Sequence, residues 1–170
     1  MNLVIFASDS KGLSSLNGII NEASERGVSL FVMICQDTQL RFPIQNRDRF
    51  EILTNCEDTN PTYSQTLGVT LPFKPDWLIV ARERWAPEQL IIKEFKTKWN
   101  CKICCVEVSS HLSNNIENRL EMLSRNNYPQ NQVDYFFEHS EWAKQRRIDC
   151  LDENFGKKSI VVGNTRSFKS

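Results

Sequence analysis

The sequence has no surplus of charge of either sign: 21 lysines and arginines are cancelled by 21 aspartates and glutamates. No long-range field advertises a nucleic-acid or anionic-membrane partner, and the pairs Arg146-Arg147 and Lys157-Lys158 read as solvated surface. It also has no apolar run approaching the ~20 residues of a membrane span. Met1-Asn2-Leu3-Val4-Ile5-Phe6 lacks the basic start and small-residue cleavage site of a signal peptide and enters a strand directly, so a cytoplasmic location is expected. Histidine is scarce, with only His111 and His139, which speaks against a histidine metal site. Neither Gly-x-Gly-x-x-Gly nor Gly-x-x-x-x-Gly-Lys-(Ser/Thr) occurs, so a dinucleotide fingerprint and a P-loop are unsupported and no cofactor is called for.

Six cysteines invite a metal or a disulfide, but their placement argues against both. Cys101 and Cys104 form a Cys-x-x-Cys, yet no second pair supplies further ligands. A strand running on through Lys102 and Ile103 sends the two thiols to opposite faces, which a shared metal could not accept. They read as reduced structural thiols.

What is present is alternation. The 170 residues, 40% hydrophobic, suit one domain with a sizeable core. Residues 3–7 and 28–34 are continuous apolar runs of the kind buried on both faces of a parallel sheet. Between them Leu13, Leu16, Ile19, Ile20 and Ala23 recur at three and four, one helical face, and Gly27 ends that helix. A short third strand is read at 50–53 and a short helix at 62–68. Then 77–80, 103–108, 135–137 and 160–162 are strands. Helices are read from Pro87 to about residue 98 with Leu90, Ile91 and Phe95 inward, over 113–123, and from Ser140. There are no repeats and no low-complexity tail. The expectation is an α/β fold: a doubly wound, mostly parallel sheet of six to seven strands, Rossmann-like, in a single domain.

Open parallel sheets bind ligands at the carboxyl ends of their strands, so three loops are candidates, and they should converge on one rim. The turn Ser8–Gly12 offers Ser10 and Gly12 as substrate-binding residues at a helix N-terminus, whose free amides favour negative charge. An ordinary capped βα turn fits the same spacing. Arg82, Glu83 and Arg84 follow the strand ending at Val80. Glu83 could act as a base toward an acceptor hydroxyl, and Arg82 and Arg84 could hold an anionic acceptor; an intra-loop ion pair beside a packed Trp85 stands as the equal alternative. Ser110 and His111 follow the strand ending at Val108, with His111 a second catalytic candidate, although a lone loop histidine is commonly a cap or a surface residue. His139 reads as structural.

The segments Asp134–Lys144 and Ser159–Arg166, in the order strand–helix–strand–Gly-Asn, resemble the close of the N-terminal domain of glycosyltransferases with the B-type, two-Rossmann fold. Gly163-Asn164-Thr165-Arg166 is similar to the Gly-Asn-x-(Arg/Lys) that leads those families into the interdomain hinge. Gly12-Leu13-Ser14-Ser15-Leu16 resembles the Gly-x-x-x-Leu opening of their first helix. Pro75–Pro87 resembles the Kdo transferases, in which a strand beginning Pro-Asp ends in an acidic turn containing Trp-Pro; Arg82 stands where that family favours an acid, and Ala86 separates Trp85 from Pro87. The chain also resembles CDP-glycerol glycerophosphotransferases, with a histidine comparable to His111, and nucleotide-sugar 2-epimerases.

The resemblance implies that residues 1–170 are an acceptor-side domain, with 163–170 beginning a linker. Its donor, a nucleotide-activated sugar, would be bound mainly by a missing or separate C-terminal domain. Its acceptor would be a sugar or a lipid-linked acceptor in surface polysaccharide synthesis. Such a half is expected to turn over little or nothing alone. The alternatives are half of a nucleotide-sugar 2-epimerase and a non-enzymatic, flavodoxin-like binding module.

Overall fold

The structure is a computed structural model that describes residues 1–8, 10–35, 50–53, 71–81, 86–106, 132–150 and 153–163. Within them the strands are β1 (Asn2–Ala7), β2 (Ser29–Cys35), β3 (Phe50–Leu53), β4 (Trp77–Val80), β5 (Lys102–Val106), β6 (Tyr135–Glu138) and β7 (Ser159–Val161). The helices are α1 (Ser10–Glu25), α2 (Ala86–Trp99), α3 (Glu141–Cys150) and α4 (Glu153–Lys158). All seven strands join one sheet in the order β3-β2-β1-β4-β5-β6-β7, and every pairing is parallel. The expected doubly wound sheet is therefore present, short third strand included. Its third strand lies outside its second, which is the Rossmann order and not the flavodoxin order 2-1-3-4-5. The helices expected over 62–68 and 113–123, and residues 107–108 of the fifth strand, lie outside the described residues. Among the described residues no helix is long and apolar enough to cross a membrane.

β1 shows why the apolar runs are unbroken. Leu3, Ile5 and Ala7 pack with Leu13, Leu16, Ile20 and Ala23 of α1 in one core. Val4 and Phe6, facing the other way, pack with Ile91, Ile92 and Phe95 of α2 in a second core. Each large side chain buried in this way contributes about 1.5–3 kcal/mol. The cysteines follow the same rule: Cys101 lies in the α2 core, and Cys104 lies in the α1 core across the sheet.

One boundary differs from expectation by more than a residue, and one helix turns a different face inward. α1 begins at Ser10 rather than at Leu13, so the turn after β1 is shorter than read. Apolar periodicity marks the buried face, and the first turn of a helix can precede that face because its amides need no partner within the helix. On α2, Ile92 is fully buried and Leu90 only partly so, which turns the inward face from the Leu90–Ile91–Phe95 row toward Ile91, Ile92 and Phe95.

The helix ends are set by local chemistry. Gly27, at φ +68°, closes α1: Val28 N–H donates to Ala23 O at 3.0 Å and Gly27 N–H to Ser24 O at 3.2 Å, the paired bonds of a Schellman motif. Asn100, at φ +47°, performs the same turn after α2, its N–H donating to Lys96 O at 3.0 Å. Ser140 caps α3 as expected, its Oγ accepting from Ala143 N–H at 3.2 Å.

Candidate functional site

The chain leaves β1 toward α1 and β2 on one side, and leaves β4 toward α2 and β5 on the other. The two strands are hydrogen-bonded neighbours, with Phe6 opposite Val80. This reversal is the topological switch point, where a crevice opens beyond the strand ends in folds of this order. Val80 also lies opposite Cys105 of β5. At about 4.8 Å per strand, the ends of β1, β4 and β5 therefore fall within about 10 Å of each other on one edge.

Ser10 and Gly12 are at this edge, in the first turn of α1, and Gly12 is buried. Arg82, Glu83, Arg84, Ser110 and His111 lie outside the described residues. The strands that precede them do end side by side.

Two acidic residues at this edge were not singled out by the sequence reading. Glu88, in the first turn of α2, is 1% exposed, and Ser8, at the end of β1, is 8% exposed. The Ser8 hydroxyl donates to Glu88 Oε1, bridging residues 80 apart in sequence. That bond ties the two sides of the switch point together. Glu88 also lies at a helix N-terminus, where the dipole favours its charge. In sequence it is an unremarkable first-turn acid after Ala86-Pro87, and no local pattern reveals its burial. The second acid, Glu138, ends β6 and is 0% exposed. Here a signal existed: a charged residue two positions after Phe136, on the same face of a strand whose Phe136 is itself buried.

Acids at the opposite edge do different work. Asp76 Oδ2 accepts Asn2 N–H at 2.8 Å, while its own N–H donates to Asn2 O and its carbonyl accepts from Lys102 N–H, both at 2.9 Å. The Pro-Asp that opens β4 is thus a clamp joining the starts of β1, β4 and β5. Asp134 Oδ2 accepts Ile103 N–H and the Lys96 ammonium, each at 2.8 Å. Beside them, burial pushes the Cys101 thiol up to about 11, against the opposing pull of Lys96. Burial also raises the Cys104 thiol. Neither is a nucleophile near neutral pH.

No family model matches the sequence, and no curated protein matches it. Solved structures do match the fold. Over 96% of its length the chain is similar to 44% of Anabaena Alr3699/HepE, solved in complex with UDP and glucose, at a TM-score of 0.61 and 12% identity. Over 98% of its length it is similar to 47% of UDP-GlcNAc 2-epimerase from Neisseria meningitidis, solved bound to UDP-GlcNAc, at a TM-score of 0.60 and 17% identity. The chain spans less than half the length of each. These likenesses establish the fold, a Rossmann-type α/β domain of the kind found in HepE and UDP-GlcNAc 2-epimerase.

Proposed function

We propose that this chain is the acceptor-side domain of a glycosyltransferase or glycerophosphotransferase that draws on a nucleotide-activated donor, and that it works with a second domain supplying the donor site. The observation that carries this reading is the near-complete overlap of the chain with under half of two proteins solved with UDP-sugar ligands or their parts. The Gly163-Asn164-Thr165-Arg166 resemblance supports it, with Gly163 turning at φ +82° two residues after β7 ends. Trp142, Ile160 and Val162 are 50%, 44% and 40% exposed on α3 and around β7, as suits a face that a further domain covers. Residues 163–170 then begin the linker. The acceptor is a sugar or a lipid-linked acceptor, the setting is cytoplasmic polysaccharide synthesis, and Glu83, as a base, and His111 are the catalytic candidates, with Ser10, Gly12, Arg82, Arg84 and Ser110 around the acceptor.

Calorimetry of the 170-residue chain with UDP-glucose and UDP-GlcNAc tests this. The expected affinity is no tighter than about millimolar, about 4 kcal/mol. Micromolar binding, or repeated turnover with an acceptor, would make the chain self-sufficient and end the reading. The overlap with the 2-epimerase favours a second reading, half of a nucleotide-sugar 2-epimerase. Release of a free 2-epimeric sugar by the reassembled enzyme, with no acceptor added, would select it.

A further inference from the structure

We propose that the outer face of α3 is a sugar-binding surface, on which the ring of Trp142 stacks against an uncharged pyranose of the acceptor. The inference rests on the acceptor-domain reading and says where on the rim the acceptor chain lies. β6 ends at Glu138 and Ser140 already caps α3, so Trp142, in the first turn, stands at the carboxyl edge. Val80 lies opposite Cys105, and Cys105 opposite Phe136. β6 is thus two strands, about 10 Å, from the switch-point strand β4.

Trp142 is 50% exposed. The Arg146 guanidinium lies over its ring, 5.9 Å from the centroid, and Arg146 Nε is shut off from water with no hydrogen bond among the described residues. The pair braces itself: the cation–π contact holds the indole in place, so less side-chain freedom is lost on binding. Gln145 and Asp149, both exposed, follow Trp142 by three and seven residues on the same helix face. Gln145 Nε2 donates to Asp149 Oδ1 at 2.8 Å, which orients both groups and leaves Asp149 Oδ2 to accept. The row from Trp142 to Asp149 runs about 10 Å along the axis.

The chemistry of this face selects its occupant. One side of a pyranose is a set of C–H groups, apolar and slightly positive, which suits the negative face of an indole. Its hydroxyls are donors, which suit a carboxylate and an amide carbonyl. A nucleotide would bring its phosphates toward Glu141 and Asp149, the two exposed acids of α3. An apolar protein surface would bury Gln145 and Asp149 without replacing their water. A second domain that closes on this rim encloses the sugar against Trp142.

The test is titration of the 170-residue chain with cellotetraose, maltotetraose and chitotetraose, which all present the C–H face of a pyranose. Binding is followed through the indole N–H of Trp142 and the backbone amides of Glu141, Ala143 and Gln145. At least one sugar should bind saturably with a Kd of about 10 mM or tighter, leaving the indole signals of Trp77 and Trp99 unmoved. Trp142→Ala should weaken it at least about ten-fold, and Trp142→Phe, which keeps an aromatic face, by no more than about three-fold. Asp149→Ala should weaken it by about three-fold. No saturable shift with any of the three sugars would overturn the proposal. So would wild-type affinity in Trp142→Ala or Asp149→Ala, a loss in Trp142→Phe as large as in Trp142→Ala, or an equal shift of Trp142 with UDP alone. Micromolar UDP-glucose binding beside these sugar shifts would end the acceptor-domain reading alone, and absent sugar shifts with weak UDP-glucose binding would end this proposal alone.

Discussion

At the amino edge of the sheet, Asp76 and Asp134 each accept a strand-opening amide at 2.8 Å and remain in contact with water, Asp134 with a 24% exposed side chain. At the carboxyl edge, Glu88 and Glu138 are 1% and 0% exposed. The amino-edge acids lose little hydration, and their donors are set in place by the strands themselves, so they stabilise at low cost. The carboxyl-edge acids are almost wholly withdrawn from water, where a carboxylate depends on the partners the fold supplies, as Ser8 supplies one to Glu88. One edge leaves its acids in water, and the other buries them.

Substitutions can break this contrast. The largest loss is expected at Asp134: Asp134→Ala removes acceptors for Ile103 N–H and for Lys96 together and should cost about 3 kcal/mol in urea unfolding. A loss below about 0.5 kcal/mol would show that the amino edge holds nothing.

The next effect is alkaline. Burial holds the Cys101 thiol up to about 11, so it stays protonated in the fold while the unfolded chain releases its proton earlier. Fewer protons on the unfolded state mean that stability is fully present below about pH 9 and falls as pH rises toward 11, by about 2 kcal/mol. Burial of Cys104 adds in the same direction. Urea midpoints measured between pH 8 and 11 should fall, and less steeply in Cys101→Ala; equal slopes in the two proteins would remove Cys101 as the cause.

Gly27→Ala should then cost about 1 kcal/mol through its positive φ alone, because no heavy atom lies within 4 Å of the added Cβ. Thermal unfolding reads this directly, and an unchanged midpoint would mean that the cap relaxes.

A stability effect of similar size is expected at the carboxyl edge, where Ser8→Ala takes a donor from a buried Glu88 oxygen and should cost about 1 kcal/mol. A loss matching that of Asp134→Ala would erase the difference between the edges and make the Ser8–Glu88 bond a structural lock.

Element by element, the sequence was most legible where burial is two-sided. The runs at β1, β2 and β5 could be seen because their side chains enter a core on each face of the sheet, so every position after the first is apolar. Gly27 and Ser140 were readable because capping is local and needs one residue type at one position. The start of α1 was misplaced because its first turn precedes its buried face. The rim was legible only as three strand ends, and their side-by-side placement follows from the parallel order.

The sequence by itself determined the α/β alternation and the mismatch of Cys101 and Cys104 as metal ligands, since both follow from the periods of helix and strand. It also set the balance of charge. Only the tertiary structure decided that Asp76 is a clamp, that the third strand lies outside the second, and that Glu88 is sealed against Ser8. The clamp and the seal depend on contacts between residues 74 and 80 positions apart, 76 with 2 and 88 with 8, and the strand order on the pairing of 32–35 with 50–53, none of which a local propensity encodes. They arise when chain closure brings strand ends together and removes the water that would otherwise solvate a carboxylate.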